Sequence, residues 1–213
     1  MKRHLRIPLF LLISLLNSLA SYASNEMSFH QLGVKTGMSD NYIQAIERDK
    51  YGFMWFATRD GLNRYDGYHF KTYTTLRQGA YNNSVEWVAE DAAGNIWIKT
   101  PVNYCFYDRE MDELDNRTEL LLHKIGIFES PRQLFIDDDK NLWCVADNTL
   151  YYYIFSDETL YKQSLPGSVN IADMACRNKR CYILMTDGNV INIDWMHKSI
   201  TELVHTERHT TYC

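Results

Sequence analysis

The sequence predicts an all-β fold, a β-propeller of about four four-stranded antiparallel blades. Three observations support this prediction: a repeat of 42 to 46 residues, a Trp six residues after an Asp in three copies, and short strands separated by tight turns. A four-stranded unit recurring every ~40–50 residues is typical of propeller blades. Blades stack because one blade cannot bury both of its faces alone.

The repeat is clearest around three Asp–Trp pairs. They are Asp49 and Trp55, Asp91 and Trp97, and Asp137 and Trp143. A fourth, weaker copy places Tyr182 where the other copies have Trp. We interpret these aromatic side chains as wedges between neighbouring blades, each burying about 150–250 Å², rather than as ligand-stacking groups.

The four copies also set the expected blade boundaries. These are about 38–75, 82–123, 130–164 and 169–204. Gly and Asp-Gly pairs separate alternating runs in the first copy, because such residues adopt tight turns at low cost. The second copy has a charged stretch at 108–117, where we expect a loop or short helix. Its last strand is expected near 120–122.

Composition and charge exclude several classes of protein. Hydrophobic residues make up 46% of the chain and charged residues 23%, a balance typical of globular domains. The net charge is −5. Because this leaves no surplus of Lys and Arg to neutralise phosphates, we do not expect a nucleic-acid partner.

The first 23 residues have the pattern of a cleaved signal peptide. A basic start at residues 2–6 precedes an apolar run at 7–16, and small residues stand at Ser21 and Ala23. The apolar run is shorter than the ~20 residues of a membrane-spanning helix, so an uncleaved anchor is the weaker alternative. We expect no membrane span after cleavage.

The chain has five cysteines, an odd number that leaves at least one thiol free or paired with another chain. Cys176 and Cys181 flank a polar tip at 177–180 that resembles a hairpin turn. A bridge across the hairpin and two small buried strand residues are both compatible with the pattern. No paired Cys/His metal spacing occurs, and we expect neither a metal nor a cofactor.

Residues 33–74 resemble the start of the two-component regulator propellers. These are periplasmic sensor regions of hybrid histidine kinases that control polysaccharide use in gut bacteria. The matching segments are 38–43, 49–58 and 60–68. The second and third copies match more loosely, and the fourth lacks the Trp.

This resemblance implies a periplasmic location and an N-terminal fragment of a longer sensor. Family members usually have seven blades per propeller, then an immunoglobulin-like segment, a membrane helix and a kinase. We therefore expect an incomplete, open part of a seven-bladed propeller, with a small four-bladed propeller as the alternative. An open arc would expose a blade face that could bind a second copy or a protein partner. Residues 28–32 are the candidate for a ring-closing outer strand.

The expected ligand surface is the blade end that carries the turns between second and third strands. Its candidate residues are Arg59, Asp60, Tyr81, Asn82, Asn83, Trp87, Asn103, Arg132 and Asn148. Aromatic rings stack on the apolar face of a sugar and amides exchange hydrogen bonds with hydroxyls, so an oligosaccharide is the expected ligand. Turn geometry alone is the alternative for each turn residue, and core packing for Trp87.

Three functions follow from these features. The first is a non-catalytic, exported sensor fragment that detects a glycan and signals through a kinase absent from this chain. The second is an exported propeller scaffold that binds a protein, and the third is a carbohydrate-active propeller enzyme. We expect no enzyme, because no nucleophile elbow, phosphate loop or Ser–His–Asp order is recognisable.

Overall fold

The computed structural model describes residues 29–74, 83–166, 170–197 and 199–202. The chain divides into two units, Met1–Leu32 and Gly33–Cys213. Of the first unit only residues 29–32 are described, and they form no strand. The expected signal peptide at 1–23 lies outside the described residues. None of the helices in the described ranges is long and apolar enough to cross a membrane.

The described part of the second unit folds into four four-stranded antiparallel sheets, the blades of a β-propeller. The strands of blade 1 are β1 (Ile43–Arg48), β2 (Met54–Thr58), β3 (Gly61–Tyr65) and β4 (Phe70–Tyr73). The strands of blade 2 are β5 (Trp87–Glu90), β6 (Ile96–Lys99), β7 (Tyr104–Asp108) and β8 (Glu113–Asp115).

Blades 3 and 4 repeat the same arrangement, with neighbouring strands following chain order. The strands of blade 3 are β9 (Pro131–Ile136), β10 (Leu142–Ala146), β11 (Thr149–Ile154) and β12 (Thr159–Ser164). The strands of blade 4 are β13 (Ile171–Arg177), β14 (Arg180–Met185), β15 (Val190–Asp194) and β16 (Ser199–Glu202). The predicted all-β propeller fold is confirmed.

The last strand of blade 2 lies elsewhere than the sequence predicts. The charged stretch forms β8, in which Leu114 pairs with Tyr107 and is only 6% exposed. The apolar segment expected to be a strand is instead the short helix α1 (Glu119–Leu122), followed by a 3₁₀ turn at His123–Ile125. A short apolar run does not distinguish a strand from a buried helical turn, which explains the error.

The three Asp–Trp pairs hold the turns between the first two strands of blades 1 to 3. The indole Nε1 donates to the Asp Oδ2 at 3.0 Å in blade 1 and at 2.8 Å in blades 2 and 3. The other carboxylate oxygen accepts backbone N–H groups of the turn, for example those of Tyr51 and Phe53 at Asp49. Each carboxylate thus fixes both the turn and the ring.

Each Trp packs in a core cluster that joins its own blade to the next. Trp55, Trp97 and Trp143 are 0%, 1% and 0% exposed. Trp55 lies 4.8 Å from the Tyr107 ring of blade 2, measured between ring centroids. Trp97 and Trp143 pack in the clusters between blades 2 and 3 and between blades 3 and 4. The three environments are equivalent, as the wedge interpretation requires.

Blade 4 departs from this pattern. Tyr182 pairs with Ala175 as Trp143 pairs with Phe135, yet it is 40% exposed. The neighbouring Leu184 on the same face is also 40% exposed. Among the described residues Tyr182 therefore does not act as a wedge, because no sheet covers this face, and the propeller arc is open there.

We predict that Trp97→Ala lowers the free energy of unfolding by about 3–5 kcal/mol, because it leaves a cavity between two blades. Urea unfolding of the full chain measures this loss. Tyr182→Ala is the matched control at the equivalent, exposed position and should cost less than about 1 kcal/mol. Equal losses in the two variants would contradict the blade interfaces described here.

Candidate functional site

The described candidate residues lie at or near one end of the blades. Arg59 and Asp60 form the turn between β2 and β3, and Asn148 lies in the turn between β10 and β11. Asn83 lies in the connection to blade 2, and its Nδ2 donates to Asp60 Oδ1 at 2.9 Å. The structure thus joins Asn83 to Asp60 across a blade boundary. Tyr81 and Asn82 fall outside the described residues.

A cation–aromatic stack adds a residue that the sequence analysis missed. The guanidinium carbon of Arg59 lies 3.6 Å from the ring centroid of Tyr42, which is 52% exposed. Tyr42 immediately precedes β1, so it reaches the same end as the turn after β2. The pairing of the first two predicted strands of blade 1 could have placed Tyr42 beside Arg59 from the sequence. This stack offers a flat, charged surface to solvent.

Two buried amide oxygens at this end have no partner. Asn83 Oδ1 and Asn148 Oδ1 are shielded from solvent and accept no hydrogen bond from the described residues. Asn148 is held in place because its Nδ2 donates to the Leu165 carbonyl at 2.7 Å. Buried polar atoms are bonded in the large majority of cases. Both oxygens are thus unpaired among the described residues and lie beneath the surface rather than on it.

The other candidates have structural contacts of their own. Asn103 Oδ1 accepts from Thr100 Oγ1 at 2.7 Å and so closes the turn before β7. Trp87 is half-buried against the cluster between blades 2 and 3, as the core-packing alternative proposed. Arg132 on β9 donates to the Asp147 carbonyl at 3.4 Å. These contacts account for Asn103 and Trp87 without a ligand.

A groove that the sequence did not indicate runs along the opposite blade end. Its three sections have volumes of ≈ 500, ≈ 490 and ≈ 370 Å³ and share lining residues, among them Ala92, Phe155 and Lys124. Tyr51 is 61% exposed at the section near blade 1 and lies under the Arg109 guanidinium at 4.4 Å. The candidate residues of the sequence analysis line none of these sections.

One ionic cluster links blades 1 and 2 near their outer strands. Asp112 accepts from the hydroxyls of Tyr73 and Tyr107 at 2.6 and 2.7 Å, and it pairs with Arg64 and Lys71. Burial raises the pKa of Asp112, but the hydrogen bonds from Lys71 and both tyrosines outweigh it. They hold that pKa well below its usual range. The cluster therefore favours the ionised carboxylate.

The same cluster acts on its tyrosines. Burial, followed by the hydrogen bond to Asp112, raises the pKa of both Tyr73 and Tyr107. Both hydroxyls therefore stay protonated and act as donors. Within the described ranges, no three His, Cys, Asp or Glu side chains are grouped as metal ligands would be.

The first blade contains a segment that matches a known protein family. Residues 37–60 match the model of the two component regulator propeller family. This segment is similar to one repeat of that family. This repeat covers β1, the Asp49 turn, β2 and the Arg59–Asp60 turn. The matched segment therefore includes Tyr42, Arg59 and Asp60 of the candidate surface.

A curated relative and solved structures extend this likeness. A histidine kinase of Formosa agariphila is 51% identical over 37 residues, which are 17% of this chain and 3% of the kinase. The extracellular domain assigned to a hybrid two-component system of B. thetaiotaomicron has a TM-score of 0.56 at 23% identity. The match covers 83% of this chain and 26% of that domain, so the chain spans about a quarter of it.

The propeller fold also occurs in an enzyme. A virginiamycin B lyase from Staphylococcus aureus has a TM-score of 0.50 at 12% identity, over 81% of this chain and 58% of the lyase. At these identities, both structural likenesses establish the fold. Because one fold hosts unrelated functions, the regulator propeller repeat carries more information about function than the fold does.

The Asp112 cluster predicts how stability depends on pH. Its folded-state pKa lies below the unfolded value of about 3.9, so its contribution is complete above that value and is lost as the pH falls. Urea midpoints measured between pH 5 and pH 2 should fall more steeply for the wild type than for Asp112→Asn. Equal slopes would show that the cluster does not stabilise the ionised carboxylate. Asp137, whose pKa is raised by burial, is present in both proteins and cancels in this comparison.

Proposed function

We propose that this chain is the non-catalytic sensor part of an exported two-component regulator and that it detects a glycan in the periplasm. The regulator propeller repeat at 37–60 is the observation that carries the proposal. The signal-peptide pattern of residues 1–23 supports export. All described strands belong to the blades. The kinase that receives the signal would therefore lie outside the described residues.

The proposed ligand surface is the blade end that contains Tyr42, Arg59, Asn83 and Asn148. The Asn83 amide and the exposed Asp60 carboxylate that it bonds lie at this surface, and amide and carboxylate groups exchange hydrogen bonds with sugar hydroxyls. The Tyr42 ring offers a stacking surface for the apolar face of a sugar. The Arg59 guanidinium beside it can bind a carboxylate or sulfate group bidentately, which favours an acidic sugar.

Signalling through this surface would use the blade boundary that it crosses. Asp60 belongs to blade 1, and Asn83, which bonds it, belongs to the connection into blade 2. A ligand that binds Asn83 more tightly in one arrangement of the two blades shifts the population toward that arrangement, because only differential affinity moves an equilibrium.

The scaffold alternative is supported by the exposed face of blade 4. Tyr182 and Leu184 lie uncovered there, and Arg180 precedes them on the same strand. This face could associate with a second copy or with a protein partner. The enzyme alternative is supported by the shared fold of the lyase alone.

We predict that the purified chain binds acidic oligosaccharides and that Arg59→Ala weakens binding by about tenfold or more, equivalent to about 1.4 kcal/mol. Calorimetric titration with neutral laminarin, uronate-rich alginate and sulfated carrageenan oligosaccharides measures this effect. Asn83→Ala should weaken all ligands that bind, whereas Arg59→Ala should weaken the acidic ones most.

Tyr51→Ala is the matched control, because Tyr51 is an exposed aromatic residue beside an Arg at the opposite blade end. It should leave affinity unchanged. A loss of binding in Tyr51→Ala without a loss in Arg59→Ala would move the ligand to the groove and overturn the proposed surface. Release of shorter oligosaccharides during the titration would contradict a non-catalytic role.

A further inference from the structure

We propose that Cys176 and Cys181 are a disulfide site that joins the first two strands of blade 4. The two residues are direct cross-strand partners on β13 and β14. Their side chains are 6% and 0% exposed, and their Sγ atoms lie 2.7 Å apart. Two sulfur atoms this close are positioned for a covalent bond.

The backbone allows this bond without rearrangement. A two-residue turn at Asn178 and Lys179, with φ of 52° and 59°, connects the strands, and Arg177 and Arg180 flank it as a pair. Positive φ at both central residues is the hairpin geometry that matches strand twist. The pair that flanks a two-residue turn, here Arg177 and Arg180, exchanges backbone hydrogen bonds. Because cross-strand pairs alternate between the two types, the next pair, Cys176 and Cys181, is of the closer, non-hydrogen-bonded type. In such pairs the Cα atoms are about 4.5 Å apart, within the disulfide range of about 4.4–6.8 Å.

The site lies where blade 4 lacks the contact that holds the other blades. In blades 1 to 3 an Asp carboxylate fixes the first turn and the indole of the second strand. Blade 4 has Tyr182 in place of the indole, and its two-residue turn contains no carboxylate. A covalent bond between the same two strands would fix this turn instead.

Packing determines when the bond can form. Both sulfur atoms lie in the core cluster between blades 3 and 4, with Trp143 and Tyr152. Burial, followed by the contact with Cys181, raises the pKa of the Cys176 thiol. Because the thiolate is the species that attacks a disulfide, exchange is slow once blade 4 is packed. The bond would therefore form during folding and then be shielded from reductants.

The reaction is a thiol–disulfide exchange with a small or protein disulfide as oxidant. The two cysteine thiols lose two protons and two electrons, and one Sγ–Sγ bond forms. The S–S bond of the oxidant breaks and takes up those electrons and protons, which gives two thiols. In the structure Cys105, Cys144, Cys176 and Cys181 are all buried free thiols, which is the reduced state from which this reaction starts.

Peptide mapping of the full chain tests this site directly. The chain is refolded with oxidised and reduced glutathione, its remaining thiols are alkylated in denaturant, and it is digested with trypsin. Trypsin cleaves after Arg177, Lys179 and Arg180, so the cysteines fall in separate peptides, 163–177 and 181–198. We expect these two peptides to remain linked and to separate on reduction, with Cys105, Cys144 and Cys213 alkylated.

Two controls make the result decisive. Oxidation of the chain in 8 M urea gives the distribution of bridges without folding, and the 163–177/181–198 linkage should be severalfold more abundant after refolding. The Cys144→Ser variant should keep the linkage between the two peptides. Reduction should lower the urea midpoint of Cys144→Ser, because its bridge is broken, but not that of the double variant Cys176→Ser/Cys181→Ser, which has no bridge to lose. Separate, alkylated peptides from refolded chains, or linkage of either cysteine to Cys213, would overturn the proposal. Because no export or ligand is needed, this result is independent of the sensor proposal.

Discussion

The contact between an Asp carboxylate and the indole N–H six residues later is the constraint on which the first three blades and their interfaces depend. One oxygen of each carboxylate closes the turn between the first two strands, and the other orients the Trp ring. The ring then fills the space against the next blade and is almost fully buried. A local turn and a long-range interface are thus fixed by one side chain, which explains why the pair recurs.

Much of the fold could be predicted because this constraint has a fixed sequence spacing. The third residue after each Asp also lies in this turn and has a left-handed backbone. Gly52 and Gly94 occupy this position in blades 1 and 2, with φ of 91° each. Blade 3 has Lys140 there, with φ of 63°, and that residue pairs with Glu47 of blade 1. Sequence patterns identify the glycines as turn residues, but they do not show that a lysine adopts the same conformation or that it pairs with a distant blade.

The candidate surface was predictable in part for a similar reason. Turn residues such as Arg59 and Asp60 are recognisable from local sequence, and the structure places them at one blade end. The stack of Arg59 on Tyr42 and the buried oxygen of Asn83 depend on contacts between separate segments. The groove at the opposite end is lined by residues of all four blades, from Tyr51 in blade 1 to Lys179 in blade 4. The Asn83 contact and the groove follow from the arrangement of blades, whereas the Arg59–Tyr42 stack forms within blade 1 through the pairing of β1 and β2.

A double-mutant cycle between Asp91 and Trp97 tests the central contact most directly. Asp91→Ala removes the acceptor, and Trp97→Phe removes the indole N–H while keeping an aromatic ring, so the cycle isolates the 2.8 Å hydrogen bond. Urea unfolding of the four proteins should give a coupling energy of about 1 kcal/mol or more, within the ~0.5–3 kcal/mol range of directly contacting residues. Additive losses, with a coupling energy below about 0.3 kcal/mol, would contradict the account of how the blades are held.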